Sequence, residues 1–162
     1  MPTNDPAAVG DNRPDARDEV RMRLLGAWQL VSYTAKDTDG EIILPFGPDP
    51  YGLIVYTPEG YMSAQLGRGD RLPLNTPRLE EAGPDDLART AAGYVAYGGT
   101  FEVVEPHTVE HHVTTSLFPN WIGLTQVRKV EFAGSFLRLG VTTPTRLWGA
   151  ERTAELTWNR LV

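Results

Sequence analysis

Two segments of the sequence carry polar side chains at alternate positions among apolar ones. His111 lies two residues from both Val109 and Val113, and Gln126 and Arg128 lie two residues apart in a second segment. Because successive side chains of a β-strand point to opposite faces, each set would share one side of a sheet. An imidazole can act as a general acid or base near neutral pH, and a guanidinium can bind a carboxylate or enolate. The spacing predicts His111 and Arg128 as catalytic candidates and Gln126 as a ligand-binding residue.

A purely structural interpretation of the same residues is also open. His111 can be a core histidine bonded to a neighbouring Tyr or Gln, and Arg128 can belong to a buried ion pair. Buried polar groups need partners, so these side chains must either satisfy one another or line a cavity. We favour a cavity, because a barrel of about eight strands can enclose one small ligand.

Further ligand-binding candidates come from the other apparent strands. They are Tyr61, Ser63, Gln65, Tyr97, Trp121 and Trp158. In the segment 61–66 one face carries Tyr61, Ser63 and Gln65 and the other Met62, Ala64 and Leu66, and the sequence alone does not decide which face is interior. Tyr97 and Trp121, together with Tyr94 and Phe118, either frame the mouth of a barrel or fill its end as core.

Several kinds of chemistry are excluded or disfavoured. The chain has no Cys, which excludes thiolate nucleophiles and thiolate-held zinc or iron–sulfur centres. His111 and His112 would point to opposite faces and cannot chelate one metal, and there is no Gly-x-Ser-x-Gly motif for a serine hydrolase. Gly67–Arg71 lacks the Lys-Ser/Thr of a phosphate-binding loop. We therefore expect no metal and no cofactor.

Length and composition predict one turn-rich domain. The 162 residues include 16 Gly and 13 Pro, an excess that turns must absorb. A net charge of −6 without a basic stripe argues against nucleic acid, and no apolar run is long enough to span a membrane. The first residues lack the basic and apolar regions of a secretory signal, so we expect a cytoplasmic location. A homodimer is compatible with the sequence, which does not determine the oligomeric state.

Apparent secondary structure supports an all-β fold. Residues 1–15 are predicted to be a disordered tail, and residues 16–162 one domain that begins with a short helix capped by Asp15. About eight to nine strands follow from Trp28 onward, enough to close an antiparallel barrel. Residues 76–92, which contain a helix-favouring Ala-rich run, interrupt them as a helical cap.

Several motifs resemble those of a known family. Gly26-Ala27-Trp28 resembles the Gly-x-Trp signature of lipocalin and calycin barrels, and Arg160 resembles the last-strand arginine that packs across that tryptophan. The segments 52–65, 93–98, 109–111, 119–123, 126–128 and 156–160 together resemble the bacterial lipocalin-like domain family, and the similarity covers nearly everything after residue 22. The resemblance implies a calycin-type barrel with Gly26, Trp28 and Arg160 at its floor.

The interior alternation and the expected barrel predict binding of a small, mainly hydrophobic molecule. One form of this prediction is a cofactor-free cyclase or isomerase that acts on a polyketide-like intermediate of secondary metabolism, with the barrel holding the substrate in one folded conformation. The alternative is a non-catalytic carrier or sequestering protein for a similar ligand.

Overall fold

A computed structural model describes residues 15–162 as nine strands and two short α-helices. The predicted tail, apart from Asp15, lies outside the described residues. The strands are β1 (Gly26–Asp37), β2 (Ile42–Ile43), β3 (Tyr51–Tyr56), β4 (Tyr61–Gly67), β5 (Tyr94–Glu105), β6 (Thr108–Ser116), β7 (Thr125–Ala133), β8 (Phe136–Leu147) and β9 (Ala150–Arg160). The helices are α1 (Ala16–Leu24) and α2 (Pro84–Ala92). Neither helix is long and apolar enough to cross a membrane.

The sheet closes on itself. Its strand order is β2-β1-β3-β4-β5-β6-β7-β8-β9, all neighbours are antiparallel, and β9 pairs with β1. A register shift between Leu30 and Ser32 bends β1, whose first part pairs with β3 and whose last part pairs with β2. The predicted all-β barrel is therefore confirmed, as eight closed strands with β2 added beside β1.

Helix α1 lies against one end of the barrel. The Asp15 side chain accepts a hydrogen bond from the backbone N–H of Arg17 and thereby caps the helix. Leu24, the last residue of α1, is fully buried. Val20 and Leu25 are partly buried and pack against the core. The single apolar side of this short helix thus covers the barrel floor.

The predicted cap consists of two shorter pieces. A 3-10 turn covers Leu79–Glu81, and α2 follows it. Helix α2 has Pro84 at its first position and two acidic residues in its first turn, and each of these features favours the start of a helix. Neither piece contains a buried residue. The insertion therefore contributes little to the core.

Strands β8 and β9 are long, and their pairing is interrupted near the middle of β8. The pairing skips from Val141 to Thr145, and Pro144, which has no N–H to donate, lies in the skipped stretch. The two strands then continue as a hairpin whose tip is Trp148-Gly149, both with positive φ. Arg152 donates from Nη1 to the carbonyls of Leu147 and Trp148 and so supports this tip.

Candidate functional site

The barrel interior contains a cavity of about 460 Å³. Most of its wall is apolar or aromatic, and the lining residues come from β1, β3, β4, β5, β7, β8, β9 and the 3-10 turn at Pro119–Trp121. They are Tyr33, Ile54, Ala64, Leu66, Val95, Tyr97, Phe118, Trp121, Gln126, Arg128, Leu139, Val141, Thr145, Arg146, Leu147, Ala154, Leu156 and Trp158. A volume of this size is typical of pockets for small organic molecules.

Gln126 and Arg128 project into the cavity from β7. The alternation that the sequence shows is present in the structure: Gln126, Arg128 and Val130 are covered to different degrees, whereas Val127 and Lys129 are exposed. The Nη2 group of Arg128 donates to Oε1 of Gln126 at 3.0 Å, and Nη1 donates to the Val127 carbonyl at 2.9 Å. The amide therefore orients the guanidinium at the cavity wall.

His111 lies in the interior but behind the wall of the cavity. It is completely buried, and it is bonded on both ring nitrogens: Nε2 lies 2.8 Å from the Tyr56 hydroxyl and Nδ1 lies 3.0 Å from the Tyr97 hydroxyl. Of these three residues only Tyr97 lines the cavity. The structure thus brings Arg128 to the cavity and leaves His111 behind the wall, bonded to the lining residue Tyr97.

Burial determines the protonation states of His111, Tyr56 and Tyr97. Loss of hydration lowers the pKa of His111 to about 3, and the neighbouring charges of Arg128 and His112 act in the same direction. Burial also raises the pKa of Tyr56 and Tyr97, although the Arg128 charge opposes both increases. The imidazole is therefore neutral at physiological pH, with one N–H and one acceptor nitrogen, so one tyrosine hydroxyl donates to the ring and the other accepts from it.

The other predicted ligand-binding residues divide into two groups. Tyr97, Trp121, Gln126 and Trp158 line the cavity. Tyr61, Ser63 and Gln65 do not: they lie on the outer, exposed face of β4, away from the cavity. The reason is the strand alternation, because Met62, Ala64 and Leu66 are buried on the inner face, where Ala64 and Leu66 line the cavity.

The aromatic residues near the mouth also separate. Phe118 and Trp121 pack edge to face, and Trp121 packs in the same way on Tyr97, so all three line one part of the cavity. Tyr94 lies outside, where its hydroxyl donates to Gln65 at 2.7 Å and its ring stacks beneath Arg71. The three-residue spacing of Tyr94 and Tyr97 in one strand already requires this division.

Several lining residues were missed in the sequence. Thr145, Arg146 and Leu147 come from the part of β8 beyond Pro144, where the alternation is interrupted. Trp158 was found, but its buried indole Nε1–H has no hydrogen-bond partner among the described residues. An unpaired buried donor of this kind is costly, and the structure gives no partner for it within residues 15–162.

The floor of the barrel is formed by Trp28 and Arg160. The Arg160 guanidinium carbon lies 4.3 Å from the centroid of the Trp28 ring, and Nη1 donates to the carbonyls of Leu25 and Val162. Its Nη2 donates to the Arg23 carbonyl, and Trp28 Nε1 donates to the Leu24 carbonyl at 2.8 Å. These bonds satisfy carbonyls at the end of α1 and join the helix to both strands that close the barrel.

Comparison with known proteins agrees with this architecture. The 4'-hydroxy-3'-methoxypropiophenone carrier protein ppsC of Aspergillus oryzae (strain ATCC 42149 / RIB 40) is 34% identical over 107 residues, which cover 62% of this chain and 96% of that protein. The model of a family described as lipocalin-like domain matches residues 25–161. The match includes all nine strands and excludes α1. The chain belongs to the lipocalin-like domain family.

Proposed function

We propose that this protein is a carrier that binds a small, mainly hydrophobic aromatic molecule inside the barrel. The observation that carries the proposal is the cavity of about 460 Å³. Its aromatic side chains offer flat surfaces to a ring, and its polar groups include Gln126, Arg128 and Tyr97. A relative whose name describes it as the carrier of an aryl ketone supports the same class of ligand.

The position of His111 favours a carrier over a catalyst that uses this residue. A general base must reach the proton that it removes, yet the imidazole is bonded on both sides and does not line the cavity. Its low pKa also makes it a weak base. A ligand bound at the cavity wall would meet the Tyr97 phenol and the Arg128 guanidinium instead.

A titration with 4'-hydroxy-3'-methoxypropiophenone, the compound in the relative's name, tests binding. Isothermal calorimetry and thermal unfolding are the measurements, and a ligand at one hundred times its Kd adds about 2.7 kcal/mol to the free energy of unfolding. Val95→Trp, which fills the cavity, should abolish binding. Val127→Trp places the same side chain on the outer face of β7 and should leave binding unchanged. Equal effects of the two variants would contradict an interior site.

A cofactor-free cyclase or isomerase is a second candidate, favoured by one observation. The Tyr97 hydroxyl lies on the cavity wall, bonded to His111 and close to Arg128, where a guanidinium can stabilise negative charge that develops on a substrate oxygen. Mass spectrometry of the recovered ligand separates the two functions. A carrier returns it unaltered, whereas a catalyst returns an isomer whose formation is lost in Arg128→Ala and reduced in His111→Ala.

A further inference from the structure

The charges that line the cavity are all of one sign. Arg128 and Arg146 contribute to the wall, and among residues 15–162 no Asp or Glu does so. The whole chain has the opposite balance, with 21 acidic residues against 15 Lys and Arg. The cavity is therefore a locally cationic site inside an acidic protein.

The hydrogen bonds of Arg128 leave its charge uncompensated. A guanidinium has five N–H donors, and the acceptors that it finds on its own strand are the Gln126 amide oxygen and the Val127 carbonyl. Within residues 15–162 Arg128 makes no salt bridge, unlike Arg68, Arg89 and Arg138, which pair with carboxylates at the surface. A partly buried guanidinium without a carboxylate partner is suited to bind an anion.

The potential around Arg128 is positive inside the barrel. The oxygen of the neighbouring Gln126 amide already accepts a hydrogen bond from Arg128. The positive charge of Arg128 reaches well into the interior, since it opposes the rise in pKa that burial imposes on Tyr33, Tyr56 and Tyr97. The cavity thus offers N–H donors and a positive potential to whatever fills it.

We infer that the ligand is an aromatic molecule that carries an oxygen anion, a carboxylate or a phenolate, and that Arg128 determines this specificity. The inference rests on the proposed function, because it names the chemical class of the molecule bound in the same cavity. The ring would lie against the aromatic wall, and the anionic oxygen would accept hydrogen bonds from Arg128. Arg146, an exposed residue on the β8 segment beyond Pro144, also lines the cavity and adds positive charge.

Isosteric probes test the inference by calorimetry. β-Naphthoate and β-naphthamide share one ring system and differ in the charge of one group. We expect the purified protein to bind the carboxylate about tenfold more tightly or better, as one charge-assisted contact implies. Arg128→Gln should remove this preference by weakening β-naphthoate while changing the Kd of β-naphthamide less than about twofold. Arg128→Lys, which keeps the charge, should retain a preference for the carboxylate.

Arg138→Gln is the matched control. Arg138 pairs with Glu131 on the outside of the barrel, so its substitution changes the net charge of the protein equally and should leave both Kd values unchanged. Circular dichroism and thermal unfolding verify that each variant is folded.

The outcomes separate the inference from the proposed function. Equal affinity for the two probes, or equal weakening of both in Arg128→Gln, overturns the anionic ligand and leaves a hydrophobic binding site in place. Failure of every aromatic probe, including the aryl ketone, overturns both. A third probe, β-naphthol, distinguishes the two anions: a phenolate absorption band on binding at neutral pH supports a phenolate ligand, and a preference for β-naphthoate without that band supports a carboxylate.

Discussion

The Tyr97 hydroxyl lies 3.0 Å from Nδ1 of His111, and the same residue forms part of the cavity wall. Tyr97 therefore links the buried imidazole to the cavity. This contact stabilises the fold as well, because each group is buried and each supplies the hydrogen bond that the other needs.

Removing that hydroxyl should destabilise the protein. Tyr97→Phe leaves one nitrogen of His111 without its partner, so we expect the free energy of unfolding in urea to fall by about 1–3 kcal/mol. Tyr94→Phe removes a hydroxyl that bonds to Gln65 at the outer surface, and there we expect a loss of less than about 1 kcal/mol. Similar losses in the two variants would show that the bond to His111 contributes no more to the free energy of unfolding than a surface hydrogen bond does.

The low pKa of His111 predicts an acid-dependent loss of stability. The unfolded chain binds a proton at this residue near pH 6.5, whereas the folded protein does so only at about 3. The unfolded state thus binds more protons between these values, and the contribution of His111 to stability decreases by roughly 1.4 kcal/mol per unit as the pH falls through this window.

Urea unfolding between pH 7 and about pH 5 measures this effect before most carboxyl groups titrate. His111→Gln should be less stable at neutral pH but should lack the extra slope. His112→Gln, which changes the neighbouring histidine on the partly exposed face of β6, should keep the slope. A wild-type slope equal to that of His111→Gln would mean that His111 is not buried in its neutral form.

Arg160 should matter for stability through its geometry more than its charge. Arg160→Ala loses three hydrogen bonds to backbone carbonyls and the contact with Trp28, and we expect a cost of about 1–3 kcal/mol. Arg160→Lys keeps the charge but cannot reproduce the planar stack, so it should recover only a minor part of the loss. Full recovery by Lys would refute this account. Chemical unfolding, together with a change in Trp28 fluorescence, reports the result.

The conformation and surroundings of Gly26 predict that a side chain there is not tolerated. Its φ is +114°, and a Cβ atom would lie 2.5 Å from the carbonyl oxygen of Val162. Gly60 has a similar φ of +93° but open space around it. Gly60→Ala should therefore cost about 1–2 kcal/mol from the backbone alone, and Gly26→Ala should cost clearly more in the same thermal-unfolding experiment.

The sequence predicts the face of a strand better than the depth of a residue in the barrel. The alternation in β6 and β7 placed His111, Gln126 and Arg128 on the interior side, where the structure has them. A period of two does not say how far along the barrel each residue lies, so it gave no sign that Tyr97 would cover His111.

Other features of the fold and of the cavity wall could not be predicted from the sequence, each for its own physical reason. In β4 the alternation defines the two faces, and the closure of the barrel places Met62, Ala64 and Leu66 inside. Beyond Pro144 the skipped pairing breaks the alternation of the strand. The sequence pattern therefore does not predict that Arg146 lines the cavity. Trp148 at the hairpin tip has a φ of 53°, a conformation that its residue type does not suggest.

The pairing of β1 with β9 has a consequence for how the cavity comes into being. The bond between Arg160 and the Leu25 carbonyl joins residues 135 positions apart, and Trp28 pairs with Arg160 across the same seam. Contacts of such long range form late, because a large loop must first be closed. A nascent chain on the ribosome therefore has no enclosed cavity until β9 has emerged, and the ability to hold a ligand should appear in one step with completion of the barrel.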